Sequence, residues 1–327
     1  MSPIYLPLLA ILLSPILTYG NSDSIRRHNI EAFNSSLAVA PLLKYRYPSL
    51  EINGPDPDHR RLAYRPNNSY NAGARLFAFG FTIEASAAIK PGSRSIERYG
   101  ETAASEFTIN TMGKRWFGDI HWVNYKGLFL RKSWENYSDV PTLPLRPDLS
   151  LLSRTGSVTF LFNPNKFSMR SPYVFSERQL LSAGSPLLRI AFNRFSFSGT
   201  GTILNQEDLQ YFKEFNEVSG TSFFMMGIAP GYSYNYVWRD FFVNGTFTAG
   251  PAQYWIRYNQ ITSGTQYDIQ INFVTSLGLA AGFNGKKFFG GLSYRSQGFR
   301  LKLSETSMNG NQNVLVLMGG MRFLKNQ

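Results

Sequence analysis

The chain contains no cysteine, so neither a disulfide framework nor a thiolate metal site can form. Only three histidines are present, and none belongs to a pair with the spacing of metal ligands. Acidic residues number 21 against 33 basic ones, a formal charge of +12. These basic residues are scattered rather than gathered into the block that marks a nucleic-acid-binding arm. The sequence therefore predicts no metal, no organic cofactor and no nucleic-acid partner.

Long hydrophobic runs are missing after residue 20. Before it, residues 1–20 carry no charge, and Ile4 to Leu17 is apolar over the length of a signal peptide. We predict a signal peptide at residues 1–20. An uncleaved anchor stays open as the alternative, because no Lys or Arg precedes the run and Pro7 and Pro15 interrupt it. Downstream, no stretch approaches the roughly 20 apolar residues that a membrane-spanning helix needs.

Alternating strands are what the sequence does contain, and the clearest runs from Gln266 to Phe283. Alternate residues of a strand point to opposite faces, and here one face is apolar while the other is polar or small. An Asn284-Gly285 pair follows, which is typical of a tight hairpin turn. The apolar face comprises Tyr267, Ile269, Ile271, Phe273, Leu277, Leu279 and Phe283.

A second clear strand runs from Thr221 to Val237. Phe224, Met226 and Ile228 share its apolar face with three tyrosines, which lie towards Trp238. Tyrosine and tryptophan at one end of a strand are typical of the aromatic girdle of a membrane barrel. The pattern predicts that this face contacts lipid.

Short turns alternate with long polar loops along the chain, as in outer-membrane barrels. We predict an all-β fold, an antiparallel transmembrane β-barrel of about twelve strands, with about ten to fourteen compatible with the pattern, short periplasmic turns and long outer loops. Residues 21–35 would be a periplasmic lead-in and residues 36–327 the barrel domain. A soluble sandwich or lipocalin-like barrel is the alternative, but strands longer than 5 to 6 residues and a small polar inner face favour the membrane.

Three polar segments are predicted as loops: Glu51 to Arg61, Ser133 to Leu152 and Ser304 to Gln312. The last strand is predicted at Asn313 to Leu324. Lys166 to Ser185 does not fit an alternating pattern, and either a helical turn or an inward-folded plug would account for it.

Several short motifs resemble a bacterial family of outer-membrane β-barrel proteins catalogued only as a domain of unknown function. They are the segments 64–68 (YRPNN), 125–127 (YKG), 176–179 (SERQ) and 182–185 (SAGS). The resemblance covers most of the chain after residue 20 and implies location and architecture, because the family has no established activity. One departure from the general barrel pattern is the C-terminus. Many such barrels end on an aromatic residue that the assembly machinery reads, whereas here Phe323 is followed by four further residues.

Asp119 and His121 are the first candidate site. Two residues apart on a strand, they share one face, while Ile120 and Trp122 occupy the other, so the pair is expected in the lumen. A His oriented by an Asp is half of a hydrolase constellation, which Ser157 or Ser182 would complete. The alternative is a polar pair that simply lines a wet lumen.

Glu177, Arg178 and Gln179 are the second candidate site. If Ser176 to Gly184 folds inward, these groups are partly buried and must be paired, so they would bridge the lumen walls and plug or gate it. A solvated turn is the alternative.

Basic residues of the predicted loops are candidates for contact with anionic sugars and phosphates of the outer leaflet, or else are ordinary solubilising charges. They are Arg94, Arg98, Arg131, Lys132 and Arg146.

The sequence as a whole favours an integral protein of a Gram-negative outer membrane, structural or forming a narrow or plugged pore, and not an enzyme. A lipid-modifying hydrolase and a small-solute channel remain alternatives. Expected partners are outer-membrane lipids, with lipopolysaccharide a candidate, and the barrel assembly machinery.

Overall fold

The computed structural model of the protein describes residues 22–33, 37–55, 60–78, 81–303 and 306–323. The predicted signal peptide, residues 1–20, lies outside this part of the chain. Most described residues are in strands. These are β1 (Ile30–Ala32), β2 (Leu37–Arg46), β3 (Ser49–Asn53), β4 (Arg61–Arg65), β5 (Tyr70–Ala78), β6 (Phe81–Ala88), β7 (Ala103–Met112), β8 (Trp116–Lys132), β9 (Leu145–Leu161), β10 (Glu177–Gln179), β11 (Ala183–Ser198), β12 (Val218–Trp238), β13 (Phe241–Gln260), β14 (Thr265–Asn284), β15 (Phe288–Leu303) and β16 (Thr306–Phe323).

Twelve strands close into a ring, and every pairing in it is antiparallel. Its order is β2, β5, β6, β7, β8, β9, β11, β12, β13, β14, β15 and β16, with β16 returning to β2. A closed ring leaves no unpaired edge, the condition for a sheet that spans a bilayer. The prediction of an antiparallel barrel of about twelve strands is confirmed.

A hairpin of β3 and β4 makes a second hydrogen-bonded connection between β16 and β8, because β3 pairs with β16 and β4 pairs with β8. The ring that runs through this hairpin contains ten strands, since it bypasses β2, β5, β6 and β7. The wall therefore divides here into two branches, one above the other. The lower branch is β2, β5, β6 and β7, and the upper branch is the β3–β4 hairpin. We call the place where they separate the fork.

The predicted lipid-facing residues lie on the outside of the barrel. On β14, Tyr267 and Ile271 have 78% and 76% of their surface exposed. On β12, Phe224, Met226 and Ile228 are likewise exposed. A belt of exposed large apolar side chains is what a lipid-facing wall requires, whereas a soluble barrel would turn this face inward.

Helices are short and few. Their bounds are α1 (Ser22–Asn29), α2 (Ser93–Tyr99) and α3 (Arg170–Tyr173), with 3₁₀ turns at Gln206–Tyr211 and Lys213–Phe215. Within the described residues, no helix combines the length and the apolar character needed to cross a membrane. The segment predicted as a lead-in forms α1 and then β1, which pairs with β10 in a small separate sheet.

The two ends of the barrel differ. At one end, short connections join β7 to β8, β12 to β13 and β14 to β15, the last through the predicted turn after Asn284. At the other end lie longer loops, residues 89–102, 133–144 and 199–217. We refer to these as the short-turn end and the long-loop end.

Three predicted loops are wrong in part. Ser49–Asn53 and Arg61–Arg65 form the β3–β4 hairpin, whose Leu50, Ile52 and Leu62 point inward and are fully buried. The prolines and charges around them conceal this short alternation in the sequence. Strand β9 begins at Leu145 rather than after residue 152, and β16 begins at Thr306 rather than Asn313. The outer part of β16 is largely polar on both faces, so the apolar period that identifies a strand is absent there. In β9, the charged residues and proline at 146–148 conceal an alternation that buries Leu149 and Leu151.

Candidate functional site: a filled lumen

The lumen is filled in three layers, which we name in order from the short-turn end. The plug is residues 163–182, the connection between β9 and β11. The chamber is a charged layer lined by Lys44, Arg46, Arg75, Glu84, Asp119, His121 and Arg295. The apolar layer is a hydrophobic core inside the long-loop end. The two predicted sites therefore lie in different layers, Glu177 to Gln179 in the plug and Asp119 with His121 in the chamber.

Glu177 is the charged centre of the plug and has only 1% of its surface exposed. Its Oε1 lies 2.7 Å from Arg26 Nη2 and 3.1 Å from Arg170 Nη1. Its Oε2 accepts a hydrogen bond of 2.5 Å from Ser168 Oγ. Arg26 belongs to α1, so this carboxylate ties the plug to the N-terminal segment. A buried carboxylate satisfied by two guanidinium groups and a hydroxyl is the arrangement that burial of charge demands.

Gln179 and Arg178 extend these contacts in two directions. Gln179 is buried, accepts from the Ser168 backbone N–H at 2.8 Å and donates to the Leu181 carbonyl at 2.9 Å. Arg178 points to the rim, where it forms ion pairs with Glu31 at 3.5 Å and with Asp240 in the β12–β13 turn. Gln179 thus folds the plug on itself, while Arg178 joins it to the wall.

Arg322 of the last strand holds the plug from the opposite wall, and sequence reasoning missed it. Its Nε donates to the Phe175 carbonyl at 2.8 Å, and its Nη2 donates to Asn284 Oδ1 at 2.5 Å. The guanidinium also lies 4.0 Å from the ring centroid of Phe33. Phe175 has a φ of +61°, a conformation uncommon for a residue with a side chain, so these contacts impose a strained turn. The sequence feature that could have identified it is the position of this arginine among the residues of β16 that point into the barrel.

Aromatic side chains fill the rest of the plug layer. Phe175 stacks on Phe289 with ring centroids 4.9 Å apart, and Phe167 is fully buried in the same cluster. Tyr173 reaches upward, and its hydroxyl donates to Asn244 Oδ1 at 2.7 Å. Its backbone carbonyl accepts from Arg75 Nη1 at 2.6 Å, which links the plug to the chamber above.

The chamber is a network of buried charges. Lys44 Nζ contacts Glu84 and lies 2.9 Å from Glu106 Oε1. Arg75 Nε donates to Glu84 Oε2 at 2.9 Å, and Arg46 pairs with Glu106. The neighbouring strands β2, β5, β6 and β7 contribute these groups, so the network ties this side of the wall together. The cavity left inside it has a volume of about 90 Å³, which is room for only a few water molecules.

Positive charge is in excess in and next to the chamber. The basic side chains are Lys44, Arg46, Arg75, Arg189 and Arg295, and the carboxylates are Glu84, Glu106 and Asp119. Five against three leaves two positive charges uncompensated by these carboxylates. Any solute in this layer would therefore be favoured if it were anionic.

Asp119 and His121 do face the lumen, but they have different partners. Ser157 Oγ donates to Asp119 Oδ1 at 2.6 Å, directly across the β8–β9 pair. His121 Nε2 lies 3.4 Å from Glu106 Oε1. In a serine hydrolase the histidine stands between the serine and the acid, whereas here the serine bonds to the acid itself. Ser182 lies in the plug layer, where it bonds to the Val237 backbone.

The apolar layer closes the long-loop end. The 199–217 loop turns inward, and its Ile203, Leu204, Phe212 and Phe215 are almost fully buried among wall residues. Tyr64 Oη donates to the Ile203 carbonyl at 2.6 Å, which fixes the loop to β4. The polar side chains of this loop, among them Glu207 and Glu217, lie on its exposed side.

One buried charge pair holds this loop at the surface. Lys132 Nζ lies 3.0 Å from Asp208 Oδ1, and Asp208 has 1% of its surface exposed. Burial raises the pKa of the Asp208 carboxyl above its usual value, although the Lys132 ammonium opposes this. Among the described residues, no three His, Asp or Glu side chains converge as metal ligands would.

The chain matches one family over residues 27–323, the family described as "Domain of unknown function (DUF4421)". The match covers most of the chain. The protein belongs to this family. That confirms the family resemblance seen in the motifs, and no curated protein matches the chain.

Solved structures similar to the chain include three barrels at very low identity. The outer membrane protease OmpT of Escherichia coli has a TM-score of 0.44 at 10% identity, covering 90% of this chain and 98% of that one. The attachment invasion locus protein Ail of Yersinia pestis has a TM-score of 0.21 at 9% identity, covering 88% and 99%. A monoaromatic hydrocarbon channel, TodX, has a TM-score of 0.30 at 6% identity, covering 88% and 90%. The barrel assignment itself depends on the closed ring and its apolar exterior.

Proposed function

We propose that the protein is an integral outer-membrane β-barrel with a permanently closed lumen, which serves as a structural wall protein rather than an open pore or an enzyme. The observation that carries this proposal is the filling of the lumen by three layers. An open pore needs a continuous water-filled path. Here a buried plug blocks that path on one side of the charged chamber, and a hydrophobic core blocks it on the other.

The exterior supports insertion in a bilayer. Phe224 stacks with Trp255 towards the long-loop end, and Trp238 stacks with Phe241 at the short-turn end. Fourteen residues separate Phe224 from Trp238, which at about 3.4 Å per residue and a tilt of about 45° is roughly 34 Å. That is close to the roughly 30 Å of a hydrocarbon core. A Gram-negative outer membrane, reached through a signal peptide at residues 1–20 and the barrel assembly machinery, is the location we propose.

A non-catalytic role is supported by the partners of the candidate triad. Ser157 is committed to Asp119, and His121 lies against Glu106 rather than Ser157. We expect His121→Ala to leave any lipid hydrolysis by the purified protein at the level of the parent. A parent activity that this substitution abolishes would restore the hydrolase alternative.

Conductance in planar bilayers tests the closed lumen. We expect the parent protein to insert without steps in current. The positive control replaces residues 166–181 and residues 200–216 each by a short Gly-Ser linker, which removes both the plug and the inward loop of the apolar layer, so these inserted barrels should leak ions. Steady ohmic openings of the parent would contradict closure and favour the channel alternative.

A further inference from the structure

The fork in the wall creates a site on the outside of the barrel. Strands β5 and β6 belong to the lower branch only, and they end below the β3–β4 hairpin. Above their ends the wall continues on the other branch, and the 89–102 loop with α2 stands over the gap. A cavity of about 490 Å³ lies there. We call it the fork site.

The fork site is strongly basic. Arg46, Arg65, Lys90 and Arg131 line it, and no aspartate or glutamate is among its described lining residues. Arg46 is buried at the floor, where it pairs with Glu106 but has an Nε without a hydrogen-bond partner in the described part of the chain. Arg65 Nε is likewise buried and without a partner there. Cations gathered in a concave site without lining carboxylates attract an anion.

Tyrosines give the site a second property. The Arg65 guanidinium lies 4.5 Å from the ring centroid of Tyr47 and donates to its hydroxyl. Tyr45 packs between Tyr47 and Tyr70, with centroids at 6.4 Å and 5.1 Å, and all three rings are exposed on the outer wall. Aromatic rings beside guanidinium groups at the outside of a barrel suit a ligand that is anionic at one end and apolar at the other.

The height of the site matches the membrane surface. Strand β5 has nine residues, which rise roughly 22 Å from the short-turn end at about 3.4 Å per residue and about 45° of tilt. The apolar band of such barrels is about 25 Å tall. The floor of the fork site thus lies inside the leaflet at the long-loop end, while Arg131, fifteen residues beyond Trp116 on β8, lies roughly 36 Å from the short-turn end, near the headgroups of that leaflet.

We propose that the fork site binds the phosphorylated headgroup of an anionic lipid from that leaflet, with Arg65 and Arg131 on the phosphate and the tyrosines along the sugar or the first acyl carbons. This inference depends on the proposed membrane location but not on closure of the lumen. A conducting parent protein would therefore leave it intact.

Lipid retention measured by native mass spectrometry of the detergent-solubilised protein tests the proposal. The probes are a bisphosphorylated glucosamine lipid, its dephosphorylated counterpart and inorganic phosphate. We expect the parent to retain one phosphorylated lipid per barrel and to bind the dephosphorylated lipid at least about tenfold more weakly, since each basic contact with an anionic headgroup is worth up to about fivefold in affinity.

Two variants locate the site. Arg65→Ala should lower lipid affinity about fivefold or more. A change in gel mobility between boiled and unboiled samples of this variant shows that its barrel is folded. The double variant of Lys90→Ala with Arg131→Ala changes only exposed side chains and should weaken lipid binding similarly. It therefore tests the site even if Arg65→Ala fails to fold. Arg257→Ala removes an exposed arginine of β13, away from the fork, and should bind as the parent does.

Three results would overturn the proposal. Equal binding of both lipids would show that the phosphate is not recognised. Equal loss in the Arg257→Ala control would indicate a general surface charge effect. Displacement of the lipid by millimolar inorganic phosphate would make the fork a site for the free ion instead of a lipid site.

Discussion

The two ends of the lumen are closed by different physical means. At the long-loop end, wall side chains and the 199–217 loop form a hydrophobic core with few charges. At the short-turn end, an inserted segment is held by buried ion pairs and hydrogen bonds from α1, β14 and β16. Apolar packing is distributed over many residues, whereas a polar closure depends on a few groups whose loss leaves others unsatisfied. The plug is therefore the closure that a single substitution can weaken enough to admit water to the chamber.

The largest effect is expected in the apolar layer. Phe197 is fully buried, with its ring centroid 5.3 Å from that of Tyr64, and Phe197→Ala should cost about 4 kcal/mol through lost burial and a cavity. Urea titration of the barrel in lipid or detergent measures the loss. Phe162→Ala, at an exposed aromatic on the outer face, is the control and should cost far less. We expect no current steps from Phe197→Ala in planar bilayers. Current steps would show that loss of one apolar side chain is enough to open the lumen, contrary to the difference proposed between the two ends.

Glu177→Ala should produce the second largest effect, about 3 kcal/mol, because it leaves Arg26 and Arg170 without their buried carboxylate. Unlike the apolar substitution, it should also admit water-soluble reagents to the chamber from the short-turn end, which the modification rate of a thiol introduced by Thr108→Cys on the chamber lining measures. The excess positive charge of the chamber predicts that an anionic thiol reagent reacts faster there than a cationic one.

The control for this variant is Glu31→Ala, which removes a half-exposed partner of Arg178 at the rim. A pair of this kind contributes about 0–1 kcal/mol. An unchanged rate of thiol modification in the chamber of the Glu177→Ala variant, together with normal insertion, would mean that the plug does not depend on its central charge.

Tyr173→Phe is a milder test of the same layer. It removes the hydrogen bond to Asn244 and the weaker 3.3 Å contact with Thr246 Oγ1 while the ring remains packed, so a loss of about 1 kcal/mol is expected. Urea midpoints of the parent and the variant give the difference. A much larger loss would indicate that Tyr173 couples the plug to the chamber more tightly than one hydrogen bond does.

The smallest expected effect concerns pH and the long-loop end. Because burial raises the pKa of Asp208, the folded protein binds this proton more tightly than the unfolded chain does. The stability that the protonated carboxyl provides is complete below the unfolded pKa of about 4 and is lost as the pH rises through the folded pKa. Asp208→Asn should therefore show a flatter dependence of unfolding free energy on pH between 4 and 7 than the parent. Identical slopes would contradict the assignment.

Sequence alternation alone predicted the parts of the barrel whose outer face is continuously apolar. The face of β14 from Tyr267 to Phe283 and the face of β12 from Phe224 to Trp238 lie outward as expected. The β3–β4 hairpin was missed because its inward residues, Leu50, Ile52 and Leu62, are separated by charges and flanked by prolines. Recognising a strand from alternating apolar and polar residues needs a longer segment than either strand of this hairpin.

The contents of the lumen could be predicted only in part. Strand period placed Asp119 and His121 inside, but their partners Ser157 and Glu106 depend on register with two different neighbouring strands. The plug segment was identified by its lack of alternation. Its anchors, Arg26 and Arg322, lie 151 and 147 residues from the groups they hold, and only closure of the barrel brings them together.

Access of water-soluble reagents to the chamber tests the closed lumen most directly. The chain has no cysteine, so Thr108→Cys places a single thiol on the chamber lining, and Thr262→Cys places one in an exposed loop. We expect a membrane-impermeant thiol reagent to modify position 262 quickly and position 108 far more slowly, until the plug is removed. Equal rates at the two positions in the intact barrel would show that the chamber is open to water.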